Sequence, residues 1–109
     1  MLGAAYRGGV KETAFSGVFE TVRHLVDAGA IVTVHDPLYS DDELRALGFE
    51  PHALGTEVGA AIIQTDHTDY GSLRPSDIPG VRVIIDGRKV LNHFLGDARL
   101  VRIGDGTPR

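Results

Sequence analysis

Short apolar runs recur along this chain, and each one is stopped by glycine, proline or a polar cluster. Runs of this length and composition are typical of buried β-strands. Several of them are rich in valine and isoleucine, which favour strands. The pattern predicts five strands, at residues 2–6, 30–36, 60–65, 81–88 and 100–104.

Two helices are predicted between these runs. Ser16 is a suitable N-cap and Gly29 a suitable terminator for the first helix. Ser40 and Glu43 form a capping box before a second, short helix that Gly48 ends. The stripe that predicts the first helix consists of Val18, Val22, Leu25 and Val26. Strands that alternate with such crossovers indicate an α/β fold, a three-layer Rossmann-like domain with a mostly parallel sheet of about five strands.

Composition narrows the class of protein. A chain of 109 residues has the size of a single domain, so we expect one domain over residues 1–109. The net charge of −4 disfavours nucleic-acid binding, and no apolar run has the length of a membrane span. The chain contains no cysteine, which excludes disulfides, thiolate metal sites and a cysteine nucleophile within it. We expect a cytoplasmic protein with no membrane partner.

The glycine-rich loop after the first predicted strand has the position of a phosphate-binding turn. Gly3 and Gly8 have the spacing of the two P-loop glycines, but Gly9 and Val10 stand where that motif requires lysine and serine or threonine. The dinucleotide fingerprint also fails, because Ala5 replaces its second glycine. The loop therefore matches neither common phosphate motif.

Polar residues at the ends of other predicted strands allow two interpretations each. Asp36 has the position of a ribose-binding acid, but a structural role before the following proline turn is favoured. Asp66, His67 and Asp69 could form a catalytic dyad, although helix capping by residues 65–69 is the favoured role. The five histidines lack metal-ligand spacing, so we expect no metal site.

Two arginines follow predicted strands and are candidates for anion binding. Arg7 comes directly after the first predicted strand, and Arg88 follows the fourth. If those strands are neighbours in the sheet, both guanidiniums face one crevice, where ligands of parallel α/β sheets bind. Beside Gly8 and Gly9, two such groups suit a diphosphate. The alternative is that both arginines are solvated surface residues.

Four segments in register resemble the C-terminal domain of the UDP-glucose/GDP-mannose dehydrogenase family. They are LGAAYRGGVKETAFSG, VTVHDPLYS, IIQTDH and VRVIIDGRKVL, and the resemblance extends over nearly the whole chain, from Leu2 to about Gly104. The resemblance implies a domain that binds the nucleotide part of a UDP-sugar. It also implies that Tyr6, Arg7 and Arg88 contact this substrate, while Gly8, Gly9 and Lys11 are candidates for a phosphate loop.

Two positions depart from the family pattern. The usual lysine is Arg7 here, which keeps the charge but changes the reach of the side chain. Ala14 stands where the family has an arginine placed near NAD, and Lys11 is the candidate substitute.

The resemblance further implies an NAD-dependent oxidation of a nucleotide-sugar primary alcohol to a uronic acid, within polysaccharide biosynthesis. The catalytic residues include a cysteine that this chain lacks, so no catalytic residue is expected here. We expect a C-terminal fragment of a larger homo-oligomeric enzyme that is inactive alone. NAD would be bound mainly by the N-terminal domain, and the partners would be the N-terminal and central domains.

The alternative is a free-standing, non-catalytic α/β module that binds a nucleotide. A third interpretation, an NAD-binding domain, depends on Asp36 and is disfavoured by the glycine pattern.

Overall fold

The computed structural model describes residues 1–93 and 95–103. Its helices are α1 (Val18–Asp27) and α2 (Asp41–Ala46). Its strands are β1 (Ala60–Ile63), β2 (Val83–Asp86) and β3 (Arg99–Arg102), and 3₁₀ helices lie at Thr68–Ser72 and Pro75–Asp77. Position 104, the end of the last predicted strand, lies outside the described residues.

The three strands form one parallel sheet in the order β1–β2–β3. Isolated parallel bridges extend this order beyond β1: Leu2 pairs with both Ile63 and His35, and Val34 pairs with Pro51. The first predicted strand therefore lies beside β1 and not beside the fourth predicted strand, because β1 stands between Leu2 and β2. The α/β class and the parallel sheet are confirmed.

The other two predicted strands do not form regular strands, so the expectation of five is not confirmed. Leu2 pairs on both sides, but Gly3 then adopts φ +110° and turns the chain out of the sheet. In the second segment, Ile31 and Val32 make no hydrogen bond within the described part of the chain. Residues 30–33 and 58–62 line one cavity of about 420 Å³, and within the described residues the 30–36 segment makes bridges only at Val34 and His35.

Two hydrophobic clusters cover the sheet. The larger contains side chains of β1 and β2 packed with Leu2, Tyr70 and Leu91. The smaller joins Ala4 and Val34 to residues of both helices and to Phe49. The paired segments therefore have apolar cover, and their polar loops are left at the edges of the sheet.

The helix caps were predicted in part. The capping box is confirmed, since Ser40 Oγ accepts from Glu43 N–H while the Glu43 carboxylate accepts from Ser40 N–H. Ser16 is not the N-cap of α1: Gly17 occupies that position, and Ser16 Oγ accepts a 3.3 Å hydrogen bond from Val18 N–H.

Candidate functional site

The candidate site lies where the loops after the parallel segments meet. We call residues 3–17 the opening loop and residues 64–67 the β1 loop. Leu2 lies between His35 on one side and Ile63 on the other, so the chain order along the sheet reverses at Leu2. In open parallel sheets, such a reversal leaves a crevice beyond the carboxyl ends of the strands, and ligands bind there.

Asp36 anchors the base of the opening loop. Its Oδ2 accepts hydrogen bonds from Ala4 N–H at 2.8 Å and Ala5 N–H at 3.1 Å, and its Oδ1 accepts one from Leu38 N–H at 2.9 Å. His67 Nε2 lies 2.9 Å from Oδ2. The carboxylate is buried and fully engaged, which supports the structural interpretation of this residue and leaves no oxygen for a ribose hydroxyl.

The β1 loop holds the opening loop from the other side. Thr65 Oγ1 donates to Ala5 O at 2.7 Å. Asp66 Oδ1 accepts from Gly8 N–H at 2.5 Å, and His67 Nδ1 accepts from Gly9 N–H at 3.1 Å. The expected capping role of this segment is wrong, because the side chain of His67, the N-cap of the following 3₁₀ helix, makes no capping bond.

The carboxylates of Asp36 and Asp66 have lowered pKa values for different reasons. Burial alone raises the pKa of Asp36, but the hydrogen bonds from Leu38, Ala4, His67 and Ala5 outweigh it and hold the pKa below its ordinary value. The Gly8 N–H lowers the pKa of Asp66, and the charge of Arg88 adds to this effect. Both groups are therefore carboxylates near neutral pH.

A turn that is held together by Asp86 brings Arg88 to the opening loop. The buried carboxylate of Asp86 accepts from the N–H groups of Arg88 at 3.2 Å, Val90 at 3.1 Å and Leu91 at 2.8 Å. The guanidinium then lies 3.5 Å from Tyr6 O through Nη1 and 3.5 Å from an Asp66 oxygen through Nη2. These long, partly exposed contacts leave the guanidinium available for a stronger anion.

Tyr6 and Arg7 project at the surface of the same loop. Within the described residues, the Arg7 guanidinium makes no ion pair or hydrogen bond. The Tyr6 ring is half exposed and meets Phe15 edge-on, with a centroid distance of 6.3 Å. Phe15 is 91% exposed and has φ +66°, an unfavourable conformation for a bulky residue. The loop therefore carries one cation without a partner among the described residues, together with two exposed aromatic rings.

The candidate phosphate-loop residues are placed differently from that expectation. The N–H groups of Gly8 and Gly9 already donate to Asp66 and His67, so they do not point to an external anion. The Lys11 ammonium pairs with Glu43 and lies 5.3 Å from the centre of the Tyr39 ring. No contact within the described residues joins Lys11 to Arg88.

The structure thus brings Arg88 to the backbone of Tyr6, next to Arg7, although the predicted strand neighbours were wrong. Sequence reasoning did not assign Asp66 and His67 to holding the loop. The signal in the sequence was that both residues follow β1 directly. Because β1 lies beside Leu2, the loop after β1 meets the opening loop, which begins after Leu2.

The same residues do not form a recognisable cofactor or metal site within the described part of the chain. The described residues do not fit a dinucleotide, because the Asp36 carboxylate is engaged and the glycine fingerprint is absent. The described residues contain no group of three or more acidic, histidine or cysteine side chains placed to hold a metal ion. Among the described helices, none is long and apolar enough to cross a membrane.

The fold and the loops define a parallel α/β domain with an arginine-bearing edge at the reversal of its strand order. This chain belongs to the UDP-glucose/GDP-mannose dehydrogenase family, since residues 1–93 match the model of that family's UDP binding domain. The resemblance seen in the sequence is therefore confirmed.

Two archaeal proteins are similar in sequence. The UDP-N-acetyl-D-mannosamine dehydrogenases of Methanococcus vannielii and Methanococcus maripaludis are each 25% identical to this chain over 101 residues. The match covers 87% of this chain and 23% of each relative. The chain therefore spans about a quarter of the length of these relatives.

Two solved structures share the fold. The UDP-N-acetyl-mannosamine dehydrogenase of Staphylococcus aureus matches with a TM-score of 0.76 and 22% identity, over 95% of this chain and 25% of that one. The UDP-D-ManNAc dehydrogenase of Pyrococcus horikoshii matches with a TM-score of 0.69 and 23% identity, over 96% and 25% of the two chains. These matches support a Rossmann-like fold.

Proposed function

We propose that this chain is the domain of a nucleotide-sugar 6-dehydrogenase that binds the UDP part of its substrate. The observation that carries the proposal is the position of Arg88, whose guanidinium lies 3.5 Å from the backbone oxygen of Tyr6, the residue before Arg7 in the opening loop. Two guanidiniums at one loop can bind a diphosphate with charge-assisted, bidentate hydrogen bonds. The family match and the names of the relatives support UDP-sugars as the ligand class.

Each part of the ligand has a proposed contact. Arg7 and Arg88 bind the diphosphate, and the exposed ring of Tyr6 stacks on the uracil base. Gly8 contributes close packing instead of a phosphate contact: a Cβ there would lie 2.2 Å from Asp66 O. Gly9, with φ +74°, supplies a backbone conformation that other residues rarely adopt.

The oxidation itself is proposed for other parts of a longer polypeptide. NAD would be bound there, consistent with the poor fit of the described residues to a dinucleotide. The primary alcohol of the sugar would be oxidised to a uronic acid by catalytic residues outside this chain, in a cytoplasmic homo-oligomer. Within this division of roles, the present chain binds and orients the nucleotide.

Isothermal titration calorimetry of the 109-residue chain with UDP, GDP and NAD tests this function. We expect saturable binding of UDP and no binding of NAD at the same concentrations. NAD binding without UDP binding would contradict the proposal and favour a dinucleotide-binding domain.

A further inference from the structure

The β1 loop contains a buried histidine that joins the core to the opening loop. His67 is 2% exposed, and each of its two ring nitrogens has a different partner. Nδ1 accepts from Gly9 N–H at 3.1 Å, and Nε2 lies 2.9 Å from the buried Asp36 carboxylate. A neutral imidazole donates through one nitrogen and accepts through the other. The proton therefore lies on Nε2 and points to Asp36.

This arrangement fixes the orientation of the ring. Asp36 is itself held by the backbone at Ala4, Ala5 and Leu38, so it cannot turn away from the imidazole. The rings of His67 and Tyr70 also meet edge-on, with a centroid distance of 5.7 Å. The acceptor Nδ1 therefore has a fixed position, and it faces the N–H of Gly9, two residues after Arg7 in the opening loop.

We propose that His67 is a positioning residue for UDP binding, which acts through the N–H of Gly9 to hold Arg7 beside Arg88. The inference deepens the proposed function and rests on it. Gly8 and Gly9 come directly after Arg7, and both are tied to the β1 loop, Gly8 through Asp66 and Gly9 through His67. Asp66 also lies 3.5 Å from Arg88, so one short loop contacts both Arg88 and the two glycines that follow Arg7.

Two amide substitutions separate the two bonds of the imidazole. In His67→Asn, the side-chain oxygen can occupy the place of Nδ1 and accept from Gly9, while the contact with Asp36 is lost. In His67→Gln, the side-chain amide can reach the place of Nε2 and donate to Asp36, while the acceptor for Gly9 is lost. The first variant leaves a buried carboxylate without one donor and should lose more stability.

The experiment measures the UDP dissociation constant and the urea midpoint for the native chain and both variants. We expect His67→Gln to weaken UDP binding about fivefold or more, as the loss of one hydrogen bond implies. His67→Asn should bind UDP more tightly than His67→Gln although it is the less stable of the two. Binding that follows stability, or that is equal in both variants, would overturn the proposal.

Amide hydrogen exchange tests the same contact without any ligand. We expect the Gly9 amide to exchange faster in His67→Gln than in the native chain or His67→Asn. The Gly8 amide, bonded to Asp66, is the internal control and should exchange equally in all three. Unchanged Gly9 exchange in His67→Gln would also overturn the positioning role. If the native chain binds no UDP, the proposed function fails while this measurement still decides whether His67 orders the loop.

Discussion

At the scale of single residues, the candidate site depends on two adjacent glycines used for different reasons. Gly8 has no room for a Cβ because the backbone oxygen of Asp66 would lie 2.2 Å away. Gly9 has open space around its Cα but a φ of +74°. One position is thus limited by packing and the other by backbone conformation.

Alanine substitution at the two positions should give different losses of stability. Gly9→Ala should lower the free energy of unfolding by about 1 kcal/mol, the cost of a left-handed conformation. Gly8→Ala should lower it by about 3 kcal/mol, because a backbone atom must move to admit the methyl group. Urea denaturation of both variants measures this difference. Equal losses would show that the two loops are not packed against each other at Gly8.

At the scale of elements, each of the two loops that form the site is held by a buried carboxylate. Asp36 orients the start of the opening loop, and Asp86 closes the turn that carries Arg88. In both cases, several backbone N–H groups converge on one side chain. These two aspartates therefore do for the loops what capping residues do for helices.

Asp86→Asn should disturb the turn that carries Arg88 and the candidate site together. An amide group cannot accept at both of the positions where the native oxygens accept from Arg88, Val90 and Leu91, so a buried N–H loses its partner. We expect a loss of about 1–3 kcal/mol in stability and weaker UDP binding. Asp97→Asn, at an exposed position, is the matched control and should change neither quantity. If Asp86→Asn binds UDP as the native chain does, the turn that carries Arg88 does not contribute to the site.

The elements also show what sequence could predict. The capping box at Ser40 and the strands β1 to β3 follow from local composition, and their core regions were predicted. The segment with Ile31 has strand composition, but sequence composition does not reveal whether a neighbouring segment supplies hydrogen bonds. The candidate arginines were predicted from their positions after strands, whereas the role of His67 depends on which loops become neighbours in space.

At the scale of the whole molecule, buried and partly buried basic groups make stability depend on pH. Burial is the main cause that lowers the pKa values of His35 and His52. Burial also lowers the pKa of the Met1 amino group from 8.0 to about 6. Each of these groups binds a proton more readily in the unfolded chain, so protonation favours unfolding.

The free energy of unfolding of the 109-residue chain should therefore decrease as the pH falls from about 8 to 6 through the Met1 amino group, and below about 6.5 through the histidines. A further decrease is expected near pH 4 and below, where the stabilising Asp36 carboxylate becomes protonated. Urea midpoints measured from pH 8 to below pH 4 test this dependence. His52→Asn keeps an atom for the Thr33 contact but removes one titrating group, so its midpoints should vary less below pH 6.5. Stability that is constant or rises on acidification would contradict the lowered pKa values of these groups in the folded chain.

The carboxyl and amino ends of the parallel sheet have different surface features. The loops at the carboxyl end of the sheet carry the arginines, while the cavity of about 420 Å³ lies near the amino ends of β1 and its neighbours. Arg99 begins β3, so it lies at the amino end of the sheet, and it is exposed. Arg99 has the same charge as Arg88 but lies at the opposite end of the parallel strands.

The most direct test of the central claim is a calorimetric titration of UDP into the native chain, Arg88→Ala and Arg99→Ala. Removal of a charge-assisted contact with the diphosphate should weaken binding by about tenfold or more in Arg88→Ala. Arg99→Ala should bind UDP as the native chain does, apart from a small general effect of charge. Equal affinities in Arg88→Ala and the native chain would contradict a nucleotide site at this edge of the sheet.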